Sequence, residues 1–515
     1  MTGLREHPPT TLRQELPAMN IKDQQVANAI PVSNDPVAAG RTRRRLLERT
    51  GMGIGAVALA WLLQQDQAQA SPKKAKGEKS YNLQPRPPHH PPRARAMISL
   101  FQHGGPSHMD LTDPKPQLSK FHGTEYPGEI AYSFVNEASK KLLGSPWRFS
   151  KHGQCGMELS ELLPETGKIA DRICLIRSMH TGANGHEVSI RYFHGGIPGV
   201  LGRPHLASWL LYALGSETQD LPAYMVLTDP GGHPVDGVNN WSSGFMPAMF
   251  QGTVLRPQEP RILNLQPAAH HRGQPQQNQL ELLQAINQQH LQQFPFDADL
   301  EARIASYELA ARMQTAAEEA LDIRRETAAT HRMYGLEDEA TREYGTRCLI
   351  ARRLVERGVR FVQLFHAGQP WDNHSALRTA LPAICRKTDR PAAALVEDLH
   401  QRGLLEETIV HWGGEIGRLP VTQNHGSPEK DGRDHNGQGF SIWLAGGGIR
   451  PGMVYGATDE FGHRAVENMV TPNDFTATLM HLFGLDAQSL VFEHHGQKQI
   501  ATAGRQAHRV DAILA

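Results

Sequence analysis

Leu349-Ile350-Ala351-Arg352-Arg353-Leu354-Val355-Glu356, then Val359-Arg360-Phe361-Val362-Gln363-Leu364-Phe365: a stretch with helix-spaced apolar residues runs straight into a short apolar run. Ala392 to Gln401 repeats the pattern ahead of Thr408-Ile409-Val410-His411-Trp412. A helical period feeding a short buried strand is what a βαβ unit requires. Further strand-like runs stand at Met97-Ile98-Ser99-Leu100-Phe101, Ile173-Cys174-Leu175-Ile176, Ala223 to Leu227 and Phe440 to Ala445. The expected fold is therefore α/β, a mainly parallel sheet with helices on both faces. Gln279 to Tyr334 differs: it is rich in Ala, Glu, Gln and Arg with helical spacing and few β-branched residues, and it reads as an all-helical insertion.

The chain has 515 residues, with 53 Lys and Arg against 53 Asp and Glu. That length exceeds what one small core fills, so one large domain with insertions, or two coupled ones, is expected. A formal charge of zero argues against nucleic acid or an anionic membrane surface as the main partner, since both reward a basic excess. Its 4 cysteines, Cys155, Cys174, Cys348 and Cys385, are widely spaced with no C-x-x-C pair, which argues against a disulfide framework and a thiolate zinc site. Buried thiols, or one or two disulfides, remain as readings.

Thr42-Arg43-Arg44-Arg45-Leu46-Leu47, the apolar run Gly51 to Leu63 and then Ala68-Gln69-Ala70 follow the order of a twin-arginine signal peptide. The run is shorter than the roughly 20 residues that cross a hydrocarbon core, so no stable membrane span is expected once residues 1–70 are removed. Cleavage is expected after Ala70, with a periplasmic or secreted product. Residues 71–95, with Lys73-Lys74 and Pro87-Pro88-His89-His90-Pro91-Pro92, read as an extended, Pro-rich basic linker, leaving 96–515 as the folded domain.

In an open parallel sheet, ligands bind beyond the carboxyl ends of the strands. Four such ends here carry polar residues among glycines: His103 to Asp110, with Asp113 beyond; Arg177 to His186; His366 to His374; and Gly413 to Arg418, whose loop returns through Gly432-Arg433-Asp434-His435-Asn436. Carboxylates and imidazoles gathered at strand ends are what a divalent cation needs, mixed oxygen and nitrogen donors suiting zinc and all-oxygen sets suiting calcium or magnesium. Each motif alone has a plain structural reading. Asp372 with His374 can cap a loop, Asp434-His435 can be a turn, and Glu415 with Arg418 can be an ion pair.

Gly104-Gly105-Pro106-Ser107-His108-Met109-Asp110, Asp113-Pro114-Lys115-Pro116, Trp371-Asp372-Asn373-His374, Gly414-Glu415-Ile416-Gly417-Arg418, Gly432-Arg433-Asp434-His435-Asn436 and Trp443-Leu444-Ala445-Gly446-Gly447-Gly448 together resemble a bacterial family. It is a twin-arginine-exported, sulfatase-like family of unknown function, placed in the alkaline phosphatase and sulfatase superfamily. The resemblance covers roughly residues 95 to 515. It implies an alkaline-phosphatase-like three-layer sandwich and one or two divalent metals (zinc, calcium or magnesium). It further implies hydrolysis of a sulfate or phosphate ester on a small molecule or polysaccharide, and passage through the twin-arginine translocation machinery.

Carried over by position, Asp110, Asp372, His374, Glu415, Asp434 and His435 would hold metal. Thr181, or else Ser178, would be the nucleophile, His180 or His186 the general acid or base, and Arg418 or Arg433 the clamp on the anion. No cysteine lies in the C/S-x-P-x-R context that formylglycine formation needs. The alternative reading is a catalytically silent member of the same fold that binds a glycan or another exported protein.

Overall fold

The computed structural model describes residues 81–133, 139–268, 270, 272–294, 298–423, 427 and 429–515. The chain divides into Met1–Ser71 and Pro72–Ala515. The twin-arginine motif, the apolar run and the cleavage site all lie outside the described residues, as does the linker up to residue 80.

Eight strands form the central sheet: β1 (Ala96–Phe101), β2 (Ile173–Met179), β3 (Tyr224–Leu227), β4 (Thr253–Leu255), β5 (Phe361–Leu364), β6 (Thr408–Gly413), β7 (Phe440–Ala445) and β8 (Met453–Tyr455). Their spatial order is β8-β2-β7-β6-β1-β5-β3-β4. Only β7 runs against its neighbours. Every residue of β1, β3, β5, β6 and β7 is buried. Burial on both faces is why these strands read as continuous apolar runs and not as alternating ones.

Seven helices matter for the layers: α1 (His186–Gly195), α2 (Leu206–Leu214), α3 (Gln274–Gln293), α4 (Ala298–Leu321), α5 (Glu339–Val355), α6 (Leu377–Gln401) and α7 (Pro472–Leu482). Side chains alternate across a strand, and β1 shows the consequence. Ile98 and Leu100 join a core with Cys348, Leu349 and Leu354 of α5 and Leu395 and Leu399 of α6. Met97 and Phe101 face the opposite core, with Phe193 of α1, Leu210 of α2 and Leu479 of α7. The result is an α/β sandwich of three layers. Helices α3 and α4 fill most of the stretch whose composition differs; α3 buries none of its residues, while α4 sends Met313, Ala317 and Ala320 into the first core. Among the described residues, no helix is long and apolar enough to cross a membrane.

All four cysteines are free thiols: Cys174, Cys348 and Cys385 are buried and Cys155 is exposed. Trp371 and Trp412 are both buried, packed edge to face at 5.6 Å. The Trp371 indole N–H donates to Gln102 Oε1 at 2.9 Å, which ties the segment after β5 to the segment after β1.

Register sets where the loops emerge. Leu100 pairs with Leu364 of β5, and Phe101 with Gly413 of β6, so three strands end at one edge. Antiparallel β7 begins there too, Phe440 lying opposite Met179, the last residue of β2. The loops after β1, β2, β5 and β6, and the segment leading into β7, therefore share one rim.

Candidate metal centre

Asp372 and His374 sit in the loop after β5. The Trp371 backbone N–H donates to the His103 carbonyl and the Asp372 N–H to the Gln369 carbonyl, a tight course that turns both side chains to the same place. Asp434 and His435 arrive on the segment leading to β7, where His435-Asn436 pairs with Gly417-Arg418 in a short antiparallel ladder. His186 is the first residue of α1, delivered from the β2 end.

These five side chains converge. His374 Nε2 lies 2.9 Å from Asp372 Oδ1, His435 Nε2 lies 3.0 Å from the same oxygen, and the two nitrogens are 3.0 Å apart. His186 Nε2 is 3.3 Å from Asp372 Oδ2, and His374 Nδ1 is 3.8 Å from Asp434 Oδ1. The His186 and His435 rings meet edge to face at 4.1 Å. Two overlapping groups have the spacing to hold an ion: His186, Asp372 and His435, and His374, Asp434 and His435.

Hydrogen bonds around the cluster fix its members. His435 Nδ1 donates to the Asn184 carbonyl at 2.7 Å, leaving Nε2 turned to the centre. Asp434 accepts the backbone N–H of Ser133 at 2.9 Å and that of His435 at 2.8 Å, and the Ser133 hydroxyl also donates to it. His374 Nδ1 contacts Gln423 Oε1, and the Gln369 amide donates to Asp372 Oδ2 at 2.8 Å.

Burial alone would raise the Asp372 carboxyl, but the imidazoles of His186, His374 and His435 beside it and the charge of Arg418 hold it far below the usual range. Burial disfavours charge on His186, yet Asp372 and Glu415 outweigh it and lift that imidazole to about 9. His435 is lowered, mainly by burial.

A divalent cation fits this donor set. Two imidazole nitrogens and a carboxylate oxygen about 3 Å apart match ligands placed about 2.0–2.1 Å from one tetrahedral ion, whose edges are about 3.3 Å. His186 Nε2 is buried beside Asp372 without a well-aligned hydrogen bond, as a nitrogen pointed at an ion would be.

The remaining residues of the sequence-based set fall elsewhere. Asp110, expected as a ligand after β1, instead gives both carboxylate oxygens to the Arg433 guanidinium, at 2.7 and 3.1 Å, and accepts the Ser107 hydroxyl at 2.5 Å. The same pairing, with the Leu143 and Leu419 carbonyls, engages Arg433 inside the protein, away from a clamping role. Arg418 touches the cluster through Asp372 at 2.5 Å, and its other donors go to the Gly104, Gly105 and Arg433 carbonyls.

Glu415 lies behind His186, with Oε1 2.7 Å from Nδ1, and belongs to neither donor group. The Thr181 hydroxyl donates to the Ala183 carbonyl at 3.1 Å, and the Ser178 hydroxyl donates to the Asn468 carbonyl at 2.7 Å. The His180 backbone N–H donates to the Val470 carbonyl, and burial lowers its imidazole. Two contributors were given no role by the sequence reading: Asn184 anchors His435, and Gln423 contacts His374. Asn184 stood in the Arg177 to His186 strand-end stretch, whereas Gln423 carried no such signal. His103, at the first strand end, is fully buried with neither ring nitrogen hydrogen-bonded.

An open α/β sheet with imidazoles and carboxylates gathered beyond its carboxyl edge defines the class: a three-layer α/β protein with a candidate metal centre. The chain belongs to the family described as protein of unknown function (DUF1501), whose model matches residues 94–514. No curated protein matches the sequence. Among solved structures, the chain is similar to the PsFucS1 sulfatase from Pseudoalteromonas sp., with 12% identity and a TM-score of 0.32 over 76% of this chain and 68% of that one. It is similar also to the lipoteichoic acid synthase LtaP from Listeria monocytogenes, with 9% identity and a TM-score of 0.29 over 77% and 73%. A third is alkaline phosphatase from the Antarctic bacterium TAB5, with 10% identity and a TM-score of 0.28 over 72% and 96%.

Proposed function

We propose that this protein is exported by the twin-arginine route and, outside the cytoplasm, hydrolyses sulfate or phosphate esters of a small molecule or polysaccharide with a divalent cation. The observation that carries the reading is the meeting of His186, Asp372, His374, Asp434 and His435, drawn from three separate chain segments, at one point on the carboxyl rim of the sheet. Three imidazoles among five donors favour a zinc-like ion over calcium or magnesium.

When bound, such an ion supplies Lewis acidity to an ester oxygen and acidifies a coordinated water. The protein's own residues do the rest. Asn184 and Gln423 aim His435 and His374, and Arg418 balances the charge of Asp372. The Thr181 and Ser178 hydroxyls are bonded to carbonyls, which favours water over either side chain as the attacking group. The engagement of Arg418 and Arg433 within the protein favours the second reading, a silent member that binds a glycan or another exported protein.

The test is expression with the native leader. The secreted protein is expected to begin at Ser71, to carry stoichiometric metal by elemental analysis, and to hydrolyse aryl sulfate, phosphate monoester or phosphate diester in a chelator-sensitive way. A product that begins at Met1 would remove export. Absence of metal and of chelator-sensitive turnover would favour the binding role.

A further inference from the structure

Glu415 stands two residues past the end of β6, at a position where the family resemblance implies a metal ligand, and its surroundings give it other work. It is fully buried. Its Oε1 accepts the Gly104 backbone N–H at 3.0 Å and lies 2.7 Å from His186 Nδ1. A carboxylate can only accept, so across this 2.7 Å contact His186 Nδ1 carries the proton and donates it. The two nitrogens of an imidazole point away from each other. A carboxylate on the Nδ1 side therefore cannot also meet an ion facing Nε2. Nε2 is the atom turned to Asp372.

The backbone is built for this contact. A Cβ on Gly414 would overlap the Gln102 carbonyl, and one on Gly105 would overlap the Ile416 carbonyl. With glycine at both places, the segments after β1 and β6 lie back to back, and the Gly104 N–H reaches Glu415.

We propose that Glu415 is the positioning residue of His186: it accepts the Nδ1 proton and holds Nε2 toward Asp372 and His435, so that His186 becomes a ligand of the centre when an ion takes the place of the Nε2 proton, and Glu415 does not. The inference rests on the metal-centre reading above. Ligating histidines commonly donate their other nitrogen to a carboxylate, and loss of such a partner weakens metal affinity about 10- to 100-fold.

Two readouts on the full exported chain test it, with Glu415→Ala and the near-isosteric Glu415→Gln. In metal-free protein labelled with 15N-histidine, with His186 assigned through His186→Gln, a slowly exchanging, far-downfield Nδ1 proton is expected in wild type and is lost in Glu415→Ala. Persistence of that proton in Glu415→Ala overturns the proposal whatever the metal does. In zinc competition titrations, Glu415→Ala is expected to bind about 10- to 100-fold more weakly and Glu415→Gln less so, since its amide oxygen still accepts from Nδ1. The visible spectrum of the cobalt-loaded variants should keep the wild-type pattern. An unchanged zinc affinity, or a changed cobalt spectrum with far larger loss, overturns it, the latter by making Glu415 a ligand. Wild type that takes up no zinc removes the metal reading instead, while the Nδ1 proton result still decides for or against Glu415.

Discussion

His435 belongs to both donor groups, so His435→Ala should remove the response to metal altogether. An ion that binds only the folded chain stabilises it by RT ln(1 + [L]/Kd), about 2.7 kcal/mol at a hundredfold excess over Kd. Unfolding entropy of about 2.1 cal/mol/K per residue amounts to about 0.9 kcal/mol/K over residues 81–515, so the melting temperature should rise by about 3 °C. The ring is buried between His186 and His374, at centroid distances of 4.1 and 4.7 Å, and its removal will itself destabilise the fold. The informative quantity is therefore the difference between zinc-supplemented and chelated samples of the same protein, measured by calorimetry. Wild type should gain about 3 °C and His435→Ala less than about 0.5 °C, with His290→Ala on the exposed face of α3 as a control for loose zinc binding. Retention in His435→Ala of most of the wild-type gain would refute the shared centre.

Asp110→Asn leaves the Arg433 guanidinium buried without its counter-charge and should lower stability by about 3–5 kcal/mol in urea unfolding. The zinc-dependent rise should survive in that variant; its disappearance would return Asp110 to the ligand set. Burial lifts the Asp389 carboxyl to about 6 although it accepts the N–H groups of Glu165 and Thr166. A carboxyl whose folded pKa exceeds its unfolded value of about 4 contributes stability in full below pH 4, and that contribution fades as the pH rises through 6. Relative to wild type, Asp389→Asn should therefore gain about 3 kcal/mol between pH 4 and pH 7 in unfolding midpoints, and a difference that stays flat over that range would contradict the assignment.

Strands such as Phe361–Leu364 and Thr408–Gly413 were legible because they are buried on both faces and leave an unbroken apolar signature. The helices before them were legible from the 3.6-residue period of their buried faces. Asp372, His374, Asp434 and His435 stood out as donors by residue type and by position at strand ends. Which donors would meet was not legible. Strand-end loops have no periodicity, so nothing local distinguishes Asp110, which faces Arg433, from Asp372, which faces three histidines. That Glu415 stands on the Nδ1 side of His186 was hidden for the same reason. It depends on which ring nitrogen a carboxylate from another segment approaches.

Backbone patterning and residue chemistry, both properties of the one-dimensional chain, settled the α/β class, the helical stretch and the stock of imidazoles and carboxylates at the rim. Register settled the rest. Pairing Leu100 with Leu364, Phe101 with Gly413 and Phe440 with Met179 brings residues as far apart as 186, 372 and 435 to within about 3 Å. Electrostatics at that range depends on distance and burial, which only the folded chain defines.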